Sequence, residues 1–406
     1  MIKNYDIAII GGGASGLAAA ISASETNPHL NIVILERLSR VGKKLLATGN
    51  GRCNFTNNNI SEANYHGSCA CLFNSLKNFD CELFFSELGV MSYADNEFRV
   101  YPVNNNASSV LDALRLRIAD TDIEIRNDFA VTDIKSEKNG YIVSSENDSI
   151  NAKSIIVAGG GMSQANLGSD GSVIRILKKL GIKIAPLSPA LTSFKVNPEQ
   201  VRSLKGIRTN AIVTLYENGK KIGCETGEVQ FGDGTISGIC VFNLSCLAYG
   251  KENLSISLNM LPEVNFRDVK EYIYKLREIR KNAALEDFLT GIVNKRIGMD
   301  IIKKNTGYPL TDNASVLTDT DIEKIASGIT DYSFKISGLS GFEKSQVTAG
   351  GVHFSETDTF FRSKKFRNMY FCGEILDIIG DCGGYNLHFA FGSGLIAGKT
   401  CAEDLS

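Results

Sequence analysis

A glycine-rich turn near the start of the chain constrains the fold more than any other feature of the sequence. The β-branched run at residues 5–10 is typical of a buried strand, and the small apolar run at residues 17–21 is typical of a helix. Between them, Gly11, Gly13 and Gly16 give the spacing Gly-x-Gly-x-x-Gly. The first glycine permits a tight turn, the second lets a pyrophosphate approach the backbone, and the third allows helix and strand to pack closely. The pattern predicts a dinucleotide-binding turn.

A second strand completes this unit. Residues 31–35 are apolar, and Glu36 stands where that strand ends. A carboxylate there accepts hydrogen bonds from an adenosine ribose and repels a 2′-phosphate. Strand, helix and strand within about 30 residues predict a βαβ unit and a parallel sheet covered by helices. The residues expected to contact the nucleotide in this unit are Gly11, Gly13, Ala14, Ser15, Gly16, Glu36 and Arg37.

Length and charge narrow the class of protein. The chain has 406 residues, more than one hydrophobic core usually organises, so we expect roughly two or three domains. Lysine and arginine total 43 against 45 aspartate and glutamate, and no basic run could track a phosphate backbone. No apolar stretch approaches the roughly 20 residues of a membrane-spanning helix, and the first residues lack a signal-peptide pattern. We therefore expect a cytoplasmic protein that binds neither nucleic acid nor membranes.

The chain has ten cysteines, but their spacing matches no zinc or redox motif. In a cytoplasmic protein such residues are reduced thiols that pack as small hydrophobic side chains. We expect no metal and no structural disulfide.

The remaining pattern indicates an interrupted domain. Residues 129–134, 141–145 and 154–158 are typical of strands, and residues 172–180 of a helix. After Pro189 the pattern changes to antiparallel strands at residues 211–217, 220–226 and 255–260, followed by apolar residues at helical spacing over residues 266–304. An apolar strand at residues 368–372 and a small-residue helix at residues 390–404 again resemble the elements of the N-terminal part. We expect an α/β Rossmann-like domain of residues 1–188 and 346–406, and an inserted β-rich domain of residues 189–345 whose helical subdomain spans about residues 262–310.

The segment after the second strand carries a longer motif. Residues 41–57, Val-Gly-Lys-Lys-Leu-Leu-Ala-Thr-Gly-Asn-Gly-Arg-Cys-Asn-Phe-Thr-Asn, resemble the signature of the BaiN/YhiN-like flavoproteins, which also include enzymes of the aminoacetone oxidase type. Val-Thr-Ala-Gly-Gly-Val at 347–352, Gly-Glu-Ile-Leu-Asp at 373–377 and Gly-Gly-Tyr-Asn at 383–386 match the same family. The resemblance implies FAD in a discontinuous glutathione-reductase-type domain, interrupted by a β-rich domain with a helical subdomain.

The resemblance also implies which residues hold the cofactor. Residues without bulk let backbone amides reach the edge of a flavin, and a helix N-terminus stabilises negative charge at its N1 and C2=O end. In the loop after the second strand the expected contacts are Lys43, Lys44, Thr48, Gly49, Asn50, Gly51, Arg52, Cys53 and Asn54. Elsewhere they are Val131 at the adenine; Ala158, Gly159 and Gly160 after a strand; Gly373 and Glu374 at the ribityl chain; and Gly384, Tyr385 and Asn386 at a helix N-terminus.

Three side chains are candidate catalytic groups. Arg52 is expected to support an anionic flavin or to orient a carbonyl, and Tyr385 to donate a proton. His388 is a further candidate donor, with a packed histidine on an apolar helix as the alternative. We interpret Cys53 as a packed thiol, because no partner cysteine lies near it in the sequence.

The resemblance implies an FAD-dependent oxidoreductase that takes a hydride from NAD(P)H and delivers it to a small organic acceptor such as an enone. The alternative is a flavin oxidase of a small amine that produces hydrogen peroxide. No second Gly-x-Gly-x-x-Gly follows a strand, so NAD(P)H is inferred from the resemblance alone. Gly232 and Thr235 stand where the family usually has threonine and glycine, so the resemblance does not define the local turn there or any substrate role of it. Asp381, Cys382 and His388 also stand where the family has other residue types, which predicts an unusual substrate end of the pocket.

Overall fold

Internal contacts divide the chain into two units in the computed structural model, which describes residues 3–406. The first unit contains residues 3–190 and 342–406, and the second is Leu191–Gly341. The two ends of the chain thus build one unit, and the second unit is inserted between them.

The helices and strands are numbered in chain order. Before the insertion they are β1 (Lys3–Ile10), α1 (Ala14–Thr26), β2 (Ile32–Leu35), α2 (Lys43–Ala47), β3 (Thr56–Asn57), β4 (Tyr65–His66), α3 (Cys81–Glu87), β5 (Ser92–Ala94), β6 (Arg99–Pro102), α4 (Ala107–Ala119), β7 (Glu124–Arg126), β8 (Asp133–Glu137), β9 (Gly140–Ser144), β10 (Ser149–Val157), α5 (Ser172–Lys179) and β11 (Ile184–Ala190). The inserted unit contains β12 (Phe194–Val196), α6 (Pro198–Val201), β13 (Arg208–Glu217), β14 (Lys220–Phe231), β15 (Thr235–Ser237), α7 (Ile239–Cys246), β16 (Leu254–Asn259), α8 (Phe266–Ile279), α9 (Lys295–Thr306), α10 (Asp319–Thr330) and β17 (Tyr332–Leu339). After it come β18 (Val347–Val352), β19 (Met369–Phe371), β20 (Ile379–Gly380) and α11 (Tyr385–Asp404).

The main sheet of the first unit has seven strands. Six follow the order β7-β2-β1-β10-β9-β8, and β19 pairs with β10. The pairs β7–β2, β2–β1, β1–β10 and β10–β19 are parallel, whereas β8 and β9 are antiparallel additions. The carboxyl ends of the five parallel strands therefore lie along one edge of the sheet, which is where ligands bind in doubly wound folds.

Two helices with many small residues pack against each other beside this sheet. The buried residues of α1 include Leu17, Ala18, Ala19 and Ala20. Those of α11 include several glycines and alanines. A Cβ placed on Gly398 of α11 would lie 2.2 Å from the carbonyl oxygen of Ala19 in α1. The small residues are therefore required because the two backbones approach closely.

The inserted unit is built on a closed barrel. Its strands follow the order β12-β15-β14-β13-β16-β17, and β17 closes the barrel by pairing with β12. Buried apolar residues of the barrel and of α8, α9 and α10 form one core, separate from that of the first unit. Within this unit, the Gly232 amide donates to the Thr235 carbonyl oxygen at 2.8 Å, which closes the turn between β14 and β15.

Several predicted elements change bounds in the structure. The strand predicted at residues 129–134 is wrong: β8 begins at Asp133, because the Asp128 and Phe129 amides donate to the carbonyl oxygens of Leu38 and Glu36 instead of to a neighbouring strand. α11 begins at Tyr385, at the helix N-terminus that the resemblance implied and five residues before the helix predicted from the small-residue run at residues 390–404. Among residues 3–406, no helix combines the length and the apolar character needed to cross a membrane.

Candidate functional site

The turn after β1 has the geometry of a phosphate-binding site. A Cβ on Gly16 would lie 1.9 Å from the Gly11 carbonyl oxygen, so only glycine permits this approach of helix to strand. A Cβ on Gly13 would meet no atom within 4 Å, so the turn is open on that side. Gly13 is the N-cap of α1 and no side chain caps that end. The amides of Ala14 and Ser15 in the first turn of α1 are therefore free to bind an anion.

Glu36 is held in one orientation at the end of β2. Its Oε2 accepts a hydrogen bond from the Gly12 amide at 2.9 Å, and its Oε1 accepts one from the Leu38 amide at 2.8 Å. The residue is 8% exposed. Because each carboxylate oxygen has two lone pairs, Glu36 can still accept a hydroxyl donor.

Arg37 and Val131 are the other two residues expected at the adenosine end of the cofactor. Arg37 Nη1 lies 2.5 Å from Asp170 Oδ1. Burial raises the pKa of Asp170, but hydrogen bonds from Arg37 and Ser172 outweigh it and hold that pKa at about 2. Val131 is buried in the segment that follows β7. Arg37 is thus held by an ion pair, and Val131 is a buried apolar side chain.

The loop from α2 to β3 turns sharply. Gly49, Asn50, Gly51 and Cys53 all have positive φ angles, between 55° and 82°. The turn is closed by hydrogen bonds from the Arg52 amide to the Gly49 carbonyl oxygen at 3.2 Å and from the Cys53 amide to the Thr48 carbonyl oxygen at 3.1 Å. Arg52 has right-handed backbone angles and lies between residues of positive φ, and such an alternation turns backbone amides toward one side, as in anion-binding nests.

The side chains of this loop have different surroundings. Cys53 is fully buried, and burial raises the pKa of its thiol to about 12, so it is protonated and packed at neutral pH. Arg52 is exposed and its guanidinium carbon lies 4.6 Å from the centre of the Tyr101 ring. The buried Asn54 Oδ1 has no hydrogen-bond partner within residues 3–406. An unpaired buried oxygen is costly, which is expected where a ligand supplies the donor.

An ion pair joins the α2 loop to the C-terminal part of the chain. Lys44 Nζ lies 2.7 Å from Glu374 Oε2, and Glu374 Oε1 accepts a hydrogen bond from the Thr348 amide at 2.9 Å. Gly373 donates its amide to Ser393 Oγ at 2.9 Å. Lys43 is the first residue of α2, next to Lys44. The segments that precede and follow the insertion therefore meet at Glu374.

The N-terminus of α11 packs against the α2 loop. A Cβ on Gly384 would lie 2.3 Å from the Thr56 carbonyl oxygen and 2.8 Å from Asn54 Oδ1. Tyr385 is 8% exposed, and burial raises the pKa of its hydroxyl. Asn386 exchanges two hydrogen bonds with the backbone of Gly380, at 2.7 and 2.8 Å. Asn386 thus fixes the turn before α11.

His388 is one turn further along α11 and faces the core. It is 5% exposed, its Nδ1 lies 2.8 Å from Thr56 Oγ1, and its ring centre is 4.9 Å from that of Phe79. Burial lowers the pKa of His388 to about 4, partly offset by Asp80. The imidazole is therefore neutral at pH 7.

Sequence reasoning missed two polar contacts of this region. Asp377 is buried and accepts hydrogen bonds from the Gly350 amide at 3.1 Å and the Ser68 amide at 2.9 Å. His66 and Asp381 form a pair with 2.9 Å between Nε2 and Oδ1. Asp377 ends the Gly-Glu-Ile-Leu-Asp motif and could have been found there, whereas His66 belongs to no motif.

The residues of this edge suit a bound FAD. The uncapped helix end and open turn fit a pyrophosphate, the fixed carboxylate fits a ribose, and the unpaired Asn54 oxygen fits a donor on the ring system. Ala158, Gly159 and Gly160 follow β10 directly, so they belong to the same edge. Residues 3–406 contain no group of three or more His, Cys, Asp or Glu that could hold a metal, and none of the ten cysteines is joined in a disulfide.

Comparison with known proteins identifies the family. Residues 5–400 match the model of the HI0933-like protein Rossmann domain. The chain is 34% identical to the 3-dehydro-bile acid delta(4,6)-reductase of Clostridium scindens, over 98% of this chain and 99% of that protein. It is 23% identical to the ribosomal RNA dihydrouridine synthase of Escherichia coli, over 100% of this chain and 98% of that protein.

Solved structures show the same fold at low identity. A 3-ketosteroid-delta4-(5alpha)-dehydrogenase from Rhodococcus jostii matches with a TM-score of 0.51 and 13% identity, over 98% of this chain and 97% of that one. An Escherichia coli quinol fumarate reductase matches with a TM-score of 0.52 and 15% identity, over 100% of this chain and 71% of that one. The predicted Rossmann-type FAD-binding domain with an inserted β-rich domain is confirmed. The chain therefore belongs to the HI0933-like family and is an FAD-dependent oxidoreductase.

Proposed function

We propose that the protein reduces a carbon–carbon double bond conjugated to a carbonyl in a small organic molecule, with NAD(P)H as the electron donor. The observation that carries the proposal is the 34% identity, over nearly the whole of both chains, to a reductase of a 3-dehydro-bile acid. The dihydrouridine synthases are named for reducing uridine, whose ring holds a double bond beside a carbonyl. Both relatives are therefore named for a reduction.

In this proposal the cofactor spans the edge formed by the five parallel strands. The turn of residues 11–16 holds the pyrophosphate, Glu36 the adenosine ribose, and Arg37 and Val131 lie beside the adenine. The flavin end of the cofactor lies along residues 48–54. Lys44 and Glu374 contact the part of the cofactor between its adenosine and flavin ends. The support is that these segments follow strands whose carboxyl ends meet at one edge.

The bound flavin would supply reversible hydride transfer, and the protein groups orient the substrate and provide protons. Arg52 is exposed at the loop and its guanidinium is suited to hold a carbonyl or an anionic ring. Tyr385 keeps its proton, because burial raises its pKa, and so is suited to donate a hydrogen bond. His388 is neutral and packed. We therefore propose that it holds the Thr56 side chain in place by a hydrogen bond and does not donate a proton to the substrate.

A small-molecule substrate is favoured over RNA by the charge of the chain. Lysine and arginine do not exceed the acidic residues, so the protein lacks the excess positive charge that supplies most nonspecific affinity for RNA. The amine oxidase remains the second candidate, because the family resemblance of residues 41–57 includes that type of enzyme.

The experiment is an anaerobic titration of the FAD-loaded protein. We expect NADH or NADPH to bleach the flavin, and a conjugated steroid ketone to restore its colour faster than dissolved oxygen does. A saturated ketone is the matched control and should not restore it. If a small primary amine bleaches the flavin but neither nucleotide does, and peroxide forms in air, the reductase hypothesis is wrong and the amine oxidase is supported.

A further inference from the structure

A histidine and an aspartate outside the recognised motifs meet beside the start of α11. His66 ends β4, and Asp381 follows β20, the strand that pairs with β4. His66 Nε2 lies 2.9 Å from Asp381 Oδ1, and Asn64 Nδ2 lies 3.4 Å from the other carboxylate oxygen. The Asp381 amide also donates to the Asn64 carbonyl oxygen at 3.0 Å. The imidazole is thus oriented by a carboxylate that is itself held in place.

This pair borders the proposed position of the flavin. Asp381 begins the turn that passes through Gly383 and Gly384 into α11. Asn57 Nδ2 donates to the Gly383 carbonyl oxygen at 3.0 Å, and Gly384 lies against the unpaired oxygen of Asn54. The carboxylate is therefore attached to the same turn that meets the α2 loop.

The pair is also open to solvent. The side chain of His66 is 25% exposed and that of Asp381 is 20% exposed, whereas His388 is 5% exposed. The side chain of His66 is therefore partly accessible to solvent, unlike that of His388. The ring of His388 is enclosed by Phe79 and Thr56.

We propose that His66 donates a proton to the carbonyl oxygen of the substrate and that Asp381 positions its ring. The proposal rests on the proposed function, which places the flavin along this turn. Because Nε2 is bonded to Asp381, Nδ1 is the ring nitrogen assigned to the substrate, and it carries a hydrogen when both ring nitrogens are protonated.

Reduction of a conjugated ketone adds one hydride and one proton to the substrate. A hydride from the reduced cofactor forms a C–H bond at the β-carbon, and the π electrons of the double bond shift toward the carbonyl oxygen. That oxygen takes the proton from Nδ1, which gives an enol and a neutral imidazole. The enol becomes the saturated ketone in water, and the exposed ring regains its proton from solvent.

The test compares His66→Gln with His29→Gln in the FAD-loaded protein. Glutamine keeps a side chain that can bond to Asp381 but cannot carry the proton. His29 is an exposed histidine after α1, at the opposite edge of the sheet from the carboxyl strand ends, so it is a matched control. A phenol serves as ligand, because its phenolate resembles the enolate that forms when hydride adds to a conjugated ketone.

We expect His66→Gln to raise the Kd for the phenol about tenfold by calorimetry, since a charge-assisted hydrogen bond is lost. The rate of flavin reoxidation by a conjugated ketone should fall at least about tenfold. Flavin content, and flavin reduction by NAD(P)H, should stay unchanged. Asp381→Asn should shift phenol binding in the same direction, and it provides a second variant if His66→Gln does not fold.

Phenol affinity and reoxidation rate within about twofold of the wild type in both variants would overturn the proposal. Equal losses in His29→Gln would overturn it as well. A wild-type protein that holds FAD but is reoxidised by no conjugated ketone is a different result, which contradicts the proposed function and this assignment together.

Discussion

His66 and His388 place the same side chain in opposite surroundings. One is partly exposed and bonded to a carboxylate, and the other is buried against Phe79 with only a hydroxyl as partner. For His388, burial disfavours the imidazolium and lowers the pKa to about 4, although the charge of Asp80 partly offsets this effect. The buried histidine is therefore a group whose protonation opposes folding.

This difference predicts a pH dependence of stability. In the unfolded chain His388 has its ordinary pKa of 6.5, which is above the folded value of about 4. As pH falls below 6.5, the unfolded state binds a proton that the folded state does not, so stability present at pH 7 is lost toward pH 4. The full loss is about 3 kcal/mol by this linkage.

The measurement is urea unfolding of the wild type and of His388→Gln at several pH values. Glutamine keeps a hydrogen bond to Thr56 but does not titrate. The variant is expected to be less stable at pH 7 and to approach the wild type as pH falls. Stability curves that stay parallel between pH 7 and 4 contradict the expectation.

The contact between α1 and α11 decides how the elements of the first unit fit together. Both helices could be predicted from runs of small residues, but their contact joins residues from the two ends of the chain. α4 was missed although Val110, Leu111 and Leu114 recur at helical spacing. The strand predicted at residues 129–134 begins only at Asp133, because the Phe129 amide bonds to the Glu36 carbonyl oxygen just after β2, a tertiary contact that periodicity does not reveal.

The close approach of these helices predicts an unusual response to alanine. In a helix interior, glycine to alanine normally stabilises by about 1 kcal/mol. For Gly398→Ala we expect a net loss of stability, because the new Cβ would lie 2.2 Å from the Ala19 carbonyl oxygen. Lys399→Ala, at the adjacent and exposed position, is the control and should change stability little. Thermal unfolding followed by circular dichroism decides the question, and a higher Tm for Gly398→Ala contradicts it.

At the scale of the whole molecule, the motifs at the two ends of the chain predicted one interrupted α/β domain. The strand signals in the middle predicted a β-rich insertion but not that its six strands close into a barrel. Closure depends on β17, which pairs with β12 across more than a hundred residues of sequence. Likewise, the pairing of His66 with Asp381 becomes visible only once β4 and β20 lie side by side.

The closed barrel predicts that the inserted unit folds by itself. Residues 191–341 have their own buried core and, as a closed barrel, no free sheet edge. We expect this fragment to give a β-rich circular dichroism spectrum and a single cooperative urea transition. The matched control is residues 191–331, which lacks β17 and so leaves the barrel open. A fragment 191–341 that is no more cooperative than 191–331 contradicts the expectation.

The position of β19 and α11 in the chain affects how the protein is made. β19 supplies a strand of the nucleotide-binding sheet, and α11 packs on α1 behind the glycine-rich turn. A ribosome releases these elements only after the inserted barrel has been synthesised. Until then the growing chain carries an incomplete sheet in which half of β10 is unpaired, so we expect FAD to be captured only after the inserted barrel has left the ribosome. Until then the apolar edge of β10 is the surface on which a chaperone would act.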